Sequence, residues 1–227
     1  MACAGRGEGR RVSASARVRL VGPAPVAGAL RGGAAVVDGR PPDAFDAGHL
    51  PGAVNVPAGP GAGEVAALVL SRDVPVLALA GRPDEAADLE RQLELAGFRS
   101  LLGSVSGDHP GRAVGGHPLA RAGAIEVDRL ADELATGAVL LIDVREVADW
   151  RHGSVPGSVH LPLAALRGAA HLLPDVPTVA CCSDGRRAAV AASALRRWGH
   201  RNVWRVADGG VDDLLERPIG LDLLGAA

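Results

Sequence analysis

The chain contains two copies of one sequence unit. Residues 36–57 read VVDGRPPDAFDAGHLPGAVNVP and residues 141–162 read LIDVREVADWRHGSVPGSVHLP, and the two align without a gap at an offset of 105 residues. The shared Asp-x-Arg, aromatic residue, glycine and Pro-Gly pair exceed what common composition would produce. The match resumes between residues 75–97 and 177–199 at an offset of 102 residues. We place the implied three-residue insertion at Pro57 to Gly63, which is rich in Gly and Pro. A fixed-offset match indicates a repeated structural unit, here about 100 residues long.

Each copy alternates short apolar runs with helical patterns. In the second copy these patterns predict three buried strands and one helix, over residues 138–144, 177–181, 203–206 and 187–198 respectively. Strands that alternate with helices indicate parallel pairing through right-handed crossovers. We therefore predict an α/β fold of two domains, each a small parallel sheet with helices on both faces.

The segment between the copies reads as a connection. Ser106 to Ala124 is rich in Gly, Pro and His, residues that favour turns and loops. We expect a first domain over residues 15–110, a linker over 111–124 and a second domain over 125–224.

Composition narrows the function classes. The net charge of -2 gives no reason to expect nucleic acid or a membrane surface as a partner. Residues 1–20 lack the apolar run of a secretory signal, and no apolar stretch is long enough to span a bilayer. The three cysteines, Cys3, Cys181 and Cys182, form a poor disulfide framework, so we expect a reducing cytoplasm. The seven histidines form no convincing ligand cluster, so we expect no metal and no cofactor.

One loop of the second copy lies where such sheets bind ligands. Residues 182–187, Cys-Ser-Asp-Gly-Arg-Arg, leave a predicted strand and enter a predicted helix. A tight loop there can turn its N–H groups inward as an anion-binding nest, and Gly185 can adopt a positive φ. The same amides and the helix dipole would stabilise a thiolate. Cys182 is therefore the candidate nucleophile, whereas Cys181, the last strand residue, is assigned to the core.

Opposing charges act on this thiol. The loop amides, together with Arg186 or Arg187, favour the thiolate, and the helix dipole adds about 0.3–1 kcal/mol. Asp184 disfavours the thiolate, because a nearby carboxylate raises the pKa of an acid. We expect the pKa of Cys182 to lie below its ordinary value, with Asp184 opposing that shift.

The same segments resemble the signatures of the rhodanese family. The first sequence signature of the family is matched in this chain by Asp143-Val144-Arg145, Trp150, Val155-Pro156-Gly157 and His160-Leu161-Pro162, which resemble it. Residues 182–187 resemble the family's active-site loop, Cys-x-x-Gly-x-Arg. The resemblance covers nearly the whole chain as a tandem pair. This tandem arrangement is similar to the carboxy-terminal half of proteins that join a metallo-β-lactamase-type persulfide dioxygenase to two rhodanese units. This sequence has no His-x-His-x-Asp-His segment and hence no such metal domain.

The resemblance implies a sulfurtransferase. The Cys182 thiolate would take a sulfur atom from a small donor, thiosulfate or a persulfide, and pass it to a thiol or to cyanide. The resemblance also implies a substrate-binding loop that consists of Ser183, Asp184, Gly185, Arg186 and Arg187. Within this loop, Arg187 and Arg186 would hold the anionic donor. Asp143 and Arg145 would brace the loop and strand. Two departures from the family pattern concern donor specificity: Gly153-Ser154 replaces the Gly48-His49 of the first copy, and no Trp follows Gly209-Gly210.

The first copy lacks the nucleophile. Its residue at the position of Cys182 is Ala80, and its residue at the position of Arg187 is Glu85. The loop Ala80-Gly81-Arg82-Pro83-Asp84-Glu85 therefore cannot carry a persulfide. We expect the first domain to pack on the second, to wall its site or to bind a partner.

Two other function classes stay open. Cys181 to Arg187 has the Cys-x5-Arg spacing of Cys-based phosphatases and arsenate reductases, although the glycine fits a loop that starts at Cys182. A non-catalytic module that carries or senses sulfur, or binds a partner, would use the same fold.

Overall fold

The computed structural model describes residues 21–107, 110–113, 116 and 118–217. Within them the chain forms two parallel sheets, one of four strands and one of five, flanked by helices. This confirms the predicted fold class. Cys3, the predicted outer limits of the domains at residues 15 and 224, and part of the predicted linker lie outside the described residues.

The first sheet has the strand order β2-β1-β3-β4, and its pairings are parallel. Its strands are β1 (Ala35–Asp38), β2 (Val54–Asn55), β3 (Val76–Ala80) and β4 (Leu101–Ser106). The accompanying helices are α1 (Pro23–Arg31), α2 (Pro42–Ala47), α3 (Ala62–Val69) and α4 (Pro83–Leu95). A short helix, α5 (Pro110–Ala113), spans the predicted boundary between the first domain and the linker.

The second sheet has the order β5-β9-β8-β6-β7 and is also parallel. Its strands are β5 (Gly123–Ile125), β6 (Leu140–Asp143), β7 (Val159–His160), β8 (Thr178–Cys181) and β9 (Val203–Val206). Its helices are α6 (Val127–Ala135), α7 (Val147–His152), α8 (Leu163–Ala169), α9 (Arg186–Arg197) and α10 (Val211–Leu215), and a 3-10 turn spans Ala170–Leu172.

The strand registers follow the sequence match. Asp38 pairs with Leu79 in the first sheet, and its counterpart Asp143 pairs with Cys181 in the second. One register step further along, Ala80 in the first domain corresponds to Cys182. The added edge strand β5 gives the second sheet its fifth strand and begins two residues before the expected domain limit at 125.

Both faces of each central strand are buried. In β8, Ala180 and the following Cys182 join one apolar cluster, whereas Val179 and Cys181 join another on the opposite face. This alternation follows from the two-residue period of a strand, and burial on both faces is typical of parallel sheets. It separates the adjacent cysteines, so that they lie on opposite sides of the sheet.

One hydrophobic core joins the two domains. It contains Val54 and Val56 from the first domain and Ala191, Ala192 and Leu195 of α9 from the second. The backbone amide of Asn55 in the edge strand β2 donates to Ser193 Oγ of α9 at 2.9 Å. Helix α9 thus covers the edge strand of the first sheet, which would otherwise expose unpaired backbone groups.

Within the part of the chain that the structure describes, no helix is long and apolar enough to cross a membrane.

Candidate active site

Cys182 lies at the junction between β8 and α9. The strand ends at Cys181, and the helix begins at Arg186 after Gly185, whose φ of 76° is in the left-handed region. A glycine adopts that conformation without the steric cost that a Cβ would add. The loop therefore turns sharply and brings Cys182 under the first turn of α9.

Two groups contact the sulfur atom of Cys182. The backbone amide of Ala188 donates to Cys182 Sγ at 3.4 Å, and the thiol lies 3.6 Å from Asp184 Oδ1. Cys182 is 1% exposed. Cys181 is fully buried on the other face, where its thiol lies 3.5 Å from the Ile142 carbonyl oxygen.

Burial raises the pKa of Cys182 above its ordinary value. Hydrogen bonds from the Ala188 and Asp184 amides and the charge of Arg187 lower the pKa, whereas the Asp184 carboxylate raises it further. The expected net lowering is wrong, because a sulfur atom removed from water loses more hydration of its charged form than two amides restore. The arrangement therefore favours the thiol of Cys182 over its thiolate.

Asp184 has two contacts within the loop. Its Oδ1 accepts a hydrogen bond from the Arg186 backbone amide at 3.1 Å and faces the Cys182 thiol. The Asp184 carboxylate therefore accepts a hydrogen bond from one of the N–H groups that the start of a helix leaves unpaired. Ser183 is exposed, and its carbonyl oxygen lies against Gly210, where an added Cβ would be 2.3 Å from it.

The two arginines of the loop point to different partners. Arg187 lies 3.3 Å from Asp149 Oδ2 of α7, and its side chain is 30% exposed. Arg186 donates to the carbonyl oxygens of Pro57 and Ala58 in the first domain, at 3.1 and 3.3 Å. Arg187 thus stays beside the loop, while Arg186 reaches across to the other domain.

Asp143 and Arg145 form a buried ion pair at the end of β6. Arg145 Nη2 lies 2.7 Å from Asp143 Oδ2 and donates to the carbonyl oxygen of Gly153 at 2.6 Å. Their side chains are 1% and 5% exposed. The first domain repeats the arrangement with Asp38 and Arg40. Neither Asp143 nor Arg145 has a described contact with the Cys182 sulfur.

A cavity of about 150 Å³ adjoins the loop. The second domain contributes charged residues to it and the first domain contributes an apolar wall; the lining residues are Asp184, Arg186, Arg187, Val190, Pro57, Pro60, Ala62 and Val65. Cys182 is not among the lining residues, in keeping with its burial.

The corresponding loop of the first domain carries solvent-exposed charge pairs. Arg82 lies 3.0 Å from Asp84 Oδ2 and 3.4 Å from Glu85 Oε1, and the Arg82 amide donates to Glu85 Oε2 at 3.3 Å. The pKa of Asp84 is lowered by its hydrogen bond to Arg82. A carboxylate stands where the second domain has a cation, which disfavours an anionic donor here.

Sequence reasoning missed several neighbours of the loop. Asp149 is one acidic residue among many, and nothing in its spacing connects it with Arg187. Pro57 and Ala58 act through backbone oxygens, which leave no residue-type signal. Gly210 did have a sequence signal, because it belongs to the Gly-Gly pair that follows the last strand. Its backbone lies so close to the carbonyl oxygens of Cys182 and Ser183 that a Cβ would not fit, which explains the glycine at this position.

Several known proteins are similar to parts of this chain. A Bacillus subtilis (strain 168) protein, YrkF, a proposed sulfur carrier, is 31% identical over 70 residues, which are 30% of this chain and 38% of that protein's length. Similar solved structures include a human single-domain sulfurtransferase, with 25% identity, a TM-score of 0.38 and coverage of 42% of this chain and 97% of that one. A Pseudomonas aeruginosa thiosulfate sulfurtransferase is 20% identical, with a TM-score of 0.38 and coverage of 87% of this chain and 44% of that one.

The family comparison covers most of the chain. The model of the rhodanese-like domain matches twice, over residues 23–108 and 126–216. Such a family membership supports a role in sulfur transfer. The chain belongs to the rhodanese-like family and carries two of its domains in tandem.

Proposed function

We propose that the protein is a sulfurtransferase that moves a sulfane sulfur atom through a persulfide on Cys182. The observation that carries the proposal is the position of the Cys182 sulfur, 3.4 Å from the Ala188 amide at the start of α9, within a Cys-x-x-Gly-x-Arg loop. Backbone amides at a helix start hold a negatively charged sulfur without a titratable partner.

The first half-reaction forms the persulfide. The thiolate of Cys182 attacks the outer sulfur atom of thiosulfate, the sulfur–sulfur bond of the donor breaks, and sulfite leaves with the bonding electron pair. The thiol proton is released to solvent, and Cys182 retains one added sulfur atom. Arg187, which is partly exposed beside the loop, attracts the anionic donor.

The second half-reaction restores the enzyme. A thiolate or cyanide attacks the outer sulfur of the persulfide, and the Cys182 thiolate is the leaving group. Two sequential displacements on one nucleophile are covalent catalysis. The raised pKa of Cys182 means that a minority thiolate reacts in the first half-reaction, so persulfide formation accelerates with rising pH.

A sulfur carrier is the second candidate. The 1% exposure of Cys182 favours it, because a buried persulfide would be protected from small acceptors. A phosphatase built on Cys181 fits less well, since that thiol faces the opposite side of the sheet from the loop.

Mass spectrometry of the intact protein after thiosulfate treatment tests the proposal. We expect a gain of one sulfur atom that maps to the peptide with Cys182, loss of the gain in Cys182→Ser and retention in Cys181→Ser. Many turnovers of thiosulfate and cyanide to thiocyanate per protein molecule would identify an enzyme, whereas a stable persulfide without turnover would identify a carrier. Equal loss of the added sulfur in both variants would contradict Cys182 as the nucleophile.

A further inference from the structure

We infer that the first domain, which lacks the nucleophile, positions the Cys182 loop through Arg186. Arg186 is then a positioning residue that links the two domains, and its main effect is on the rate of the reaction at Cys182 rather than on donor affinity. The inference rests on the proposed sulfur transfer for its activity measurement, but not for its structural measurement.

Arg186 contacts a fixed part of the first domain. Its Nη2 atom lies 3.1 Å from the carbonyl oxygen of Pro57 and 3.3 Å from that of Ala58. The acceptor segment is itself tied to the end of β1, because the Ala58 amide donates to Gly39 at 2.8 Å. A Cβ added at Gly59 would lie 3.1 Å from Arg186 Nη2, so the guanidinium fits closely against this backbone.

The anchored residue controls the groups around the sulfur. Arg186 is the first residue of α9, and its amide donates to the Asp184 carboxylate that faces the Cys182 thiol. One half-turn further along the helix, the Ala188 amide contacts the sulfur directly. A tether on Arg186 therefore fixes both the carboxylate and the amide beside Cys182. Small displacements of such groups have large effects on rate.

Arg197 provides a matched control on the same helix. Its Nη1 atom donates to the Gly52 carbonyl oxygen of the first domain at 2.6 Å, so it also links the domains through a backbone acceptor. It lies at the far end of α9, away from Cys182. Removing Arg197 therefore reports what the loss of one interdomain hydrogen bond does by itself.

The experiment compares Arg186→Met, Arg186→Lys and Arg197→Met in the full chain. Single-turnover persulfide formation from thiosulfate gives a limiting rate constant and a half-saturating concentration. We expect Arg186→Met to lower the limiting rate constant about tenfold, with the half-saturating concentration changed less than about twofold. Arg186→Lys should recover most of the rate, because its ammonium can donate to the same carbonyl oxygens, and Arg197→Met should match the parent.

Deuterium uptake by the peptide over residues 182–190, without any donor, gives the second measurement. We expect faster uptake in Arg186→Met and unchanged uptake in Arg197→Met. A raised half-saturating concentration with an unchanged limiting rate and unchanged uptake would make Arg186 a donor ligand and overturn the inference. If the parent forms no persulfide, the proposed function fails, while unchanged uptake in Arg186→Met would still overturn the positioning role.

Discussion

Cys182 and Asp184 share one short contact: the thiol sulfur lies 3.6 Å from Asp184 Oδ1, the oxygen that also accepts the Arg186 amide. The carboxylate therefore serves the geometry of the loop and opposes ionisation of the nucleophile at the same time. Its charge adds to the effect of burial, which is the larger cause of the raised pKa of Cys182. These two functions of Asp184 can be separated by removing the charge and keeping the shape.

Asp184→Asn should lower the pKa of Cys182 and accelerate persulfide formation at neutral pH. The asparagine side-chain oxygen can still accept the Arg186 amide, so the loop should keep its conformation, whereas the repulsion of the thiolate and of an anionic donor disappears. The acceleration should be greatest at low salt. The rate of thiol alkylation against pH measures the pKa, and the thiosulfate half-reaction measures the rate.

Asp175→Asn is the control for that substitution. Asp175 is exposed near the start of β8, at the opposite end of the strand from Cys182. The Asp175→Asn substitution should leave both the thiol pKa and the rate of the thiosulfate half-reaction unchanged. A thiol pKa in Asp184→Asn equal to that of the parent, together with an unchanged or slower half-reaction, would show that Asp184 only supports the loop.

Alkylation of Cys182 should rise with pH through neutrality without reaching a plateau there. The raised pKa means that the thiolate is a small fraction at pH 7 and grows about tenfold per pH unit until the pKa is reached. A Cys181→Ser background keeps the other buried thiol of the loop region out of the measurement, and peptide mapping assigns the modified residue. A plateau below pH 7 would mean that the loop amides outweigh burial.

Asp143→Asn should destabilise the fold strongly. The change leaves the guanidinium of Arg145, which is 5% exposed, without its charged partner, and a broken buried pair typically costs about 3–5 kcal/mol. Urea unfolding measures the loss. Asp73→Asn, in the exposed pair with Arg99, should cost about 0–1 kcal/mol. A fully stable Asp143→Asn variant without sulfur transfer would instead place Asp143 in the reaction itself.

The sequence predicts the strands and the site loop well because their signals are local. The third strand of the second copy is found at Val203–Val206 as predicted, and the helix that follows the loop is Arg186–Arg197 against a predicted 187–198. The predicted strand over 138–144 is shorter in the structure, at Leu140–Asp143, because an apolar run does not reveal where pairing stops. The short strands β5 and β7 escaped prediction, since three and two residues carry no measurable period.

Long-range contacts account for what the sequence does not reveal. The contact between Arg186 and Pro57 joins residues 129 positions apart through a backbone oxygen. The sequence predicts the wrong direction for the pKa of Cys182, because the 1% exposure of this residue depends on the packing of α9 and the shared core. The motif identifies which groups meet the sulfur, whereas tertiary burial decides which of their effects is larger.

The ion pairs of Arg205 should contribute unequally to the interface between the domains. Arg205 of β9 is buried, and it binds two carboxylates of α2 in the first domain, those of Asp43 and Asp46, the latter at 2.8 Å. Asp46 is 15% exposed, whereas Asp43 is 88% exposed. Water replaces the contact of an exposed carboxylate easily, so Asp43→Asn should cost at most about 1 kcal/mol.

Asp46→Asn should cost more, about 1.5–3 kcal/mol, because it weakens a charged hydrogen bond to a guanidinium that water cannot reach. Urea unfolding of the two variants and the double variant measures both effects. Because Arg205 links the two domains, the loss in Asp46→Asn should also broaden the transition, as the domains begin to unfold separately. Equal losses in Asp43→Asn and Asp46→Asn would contradict the predicted inequality and would mean that the exposed carboxylate holds Arg205 as firmly as the buried one.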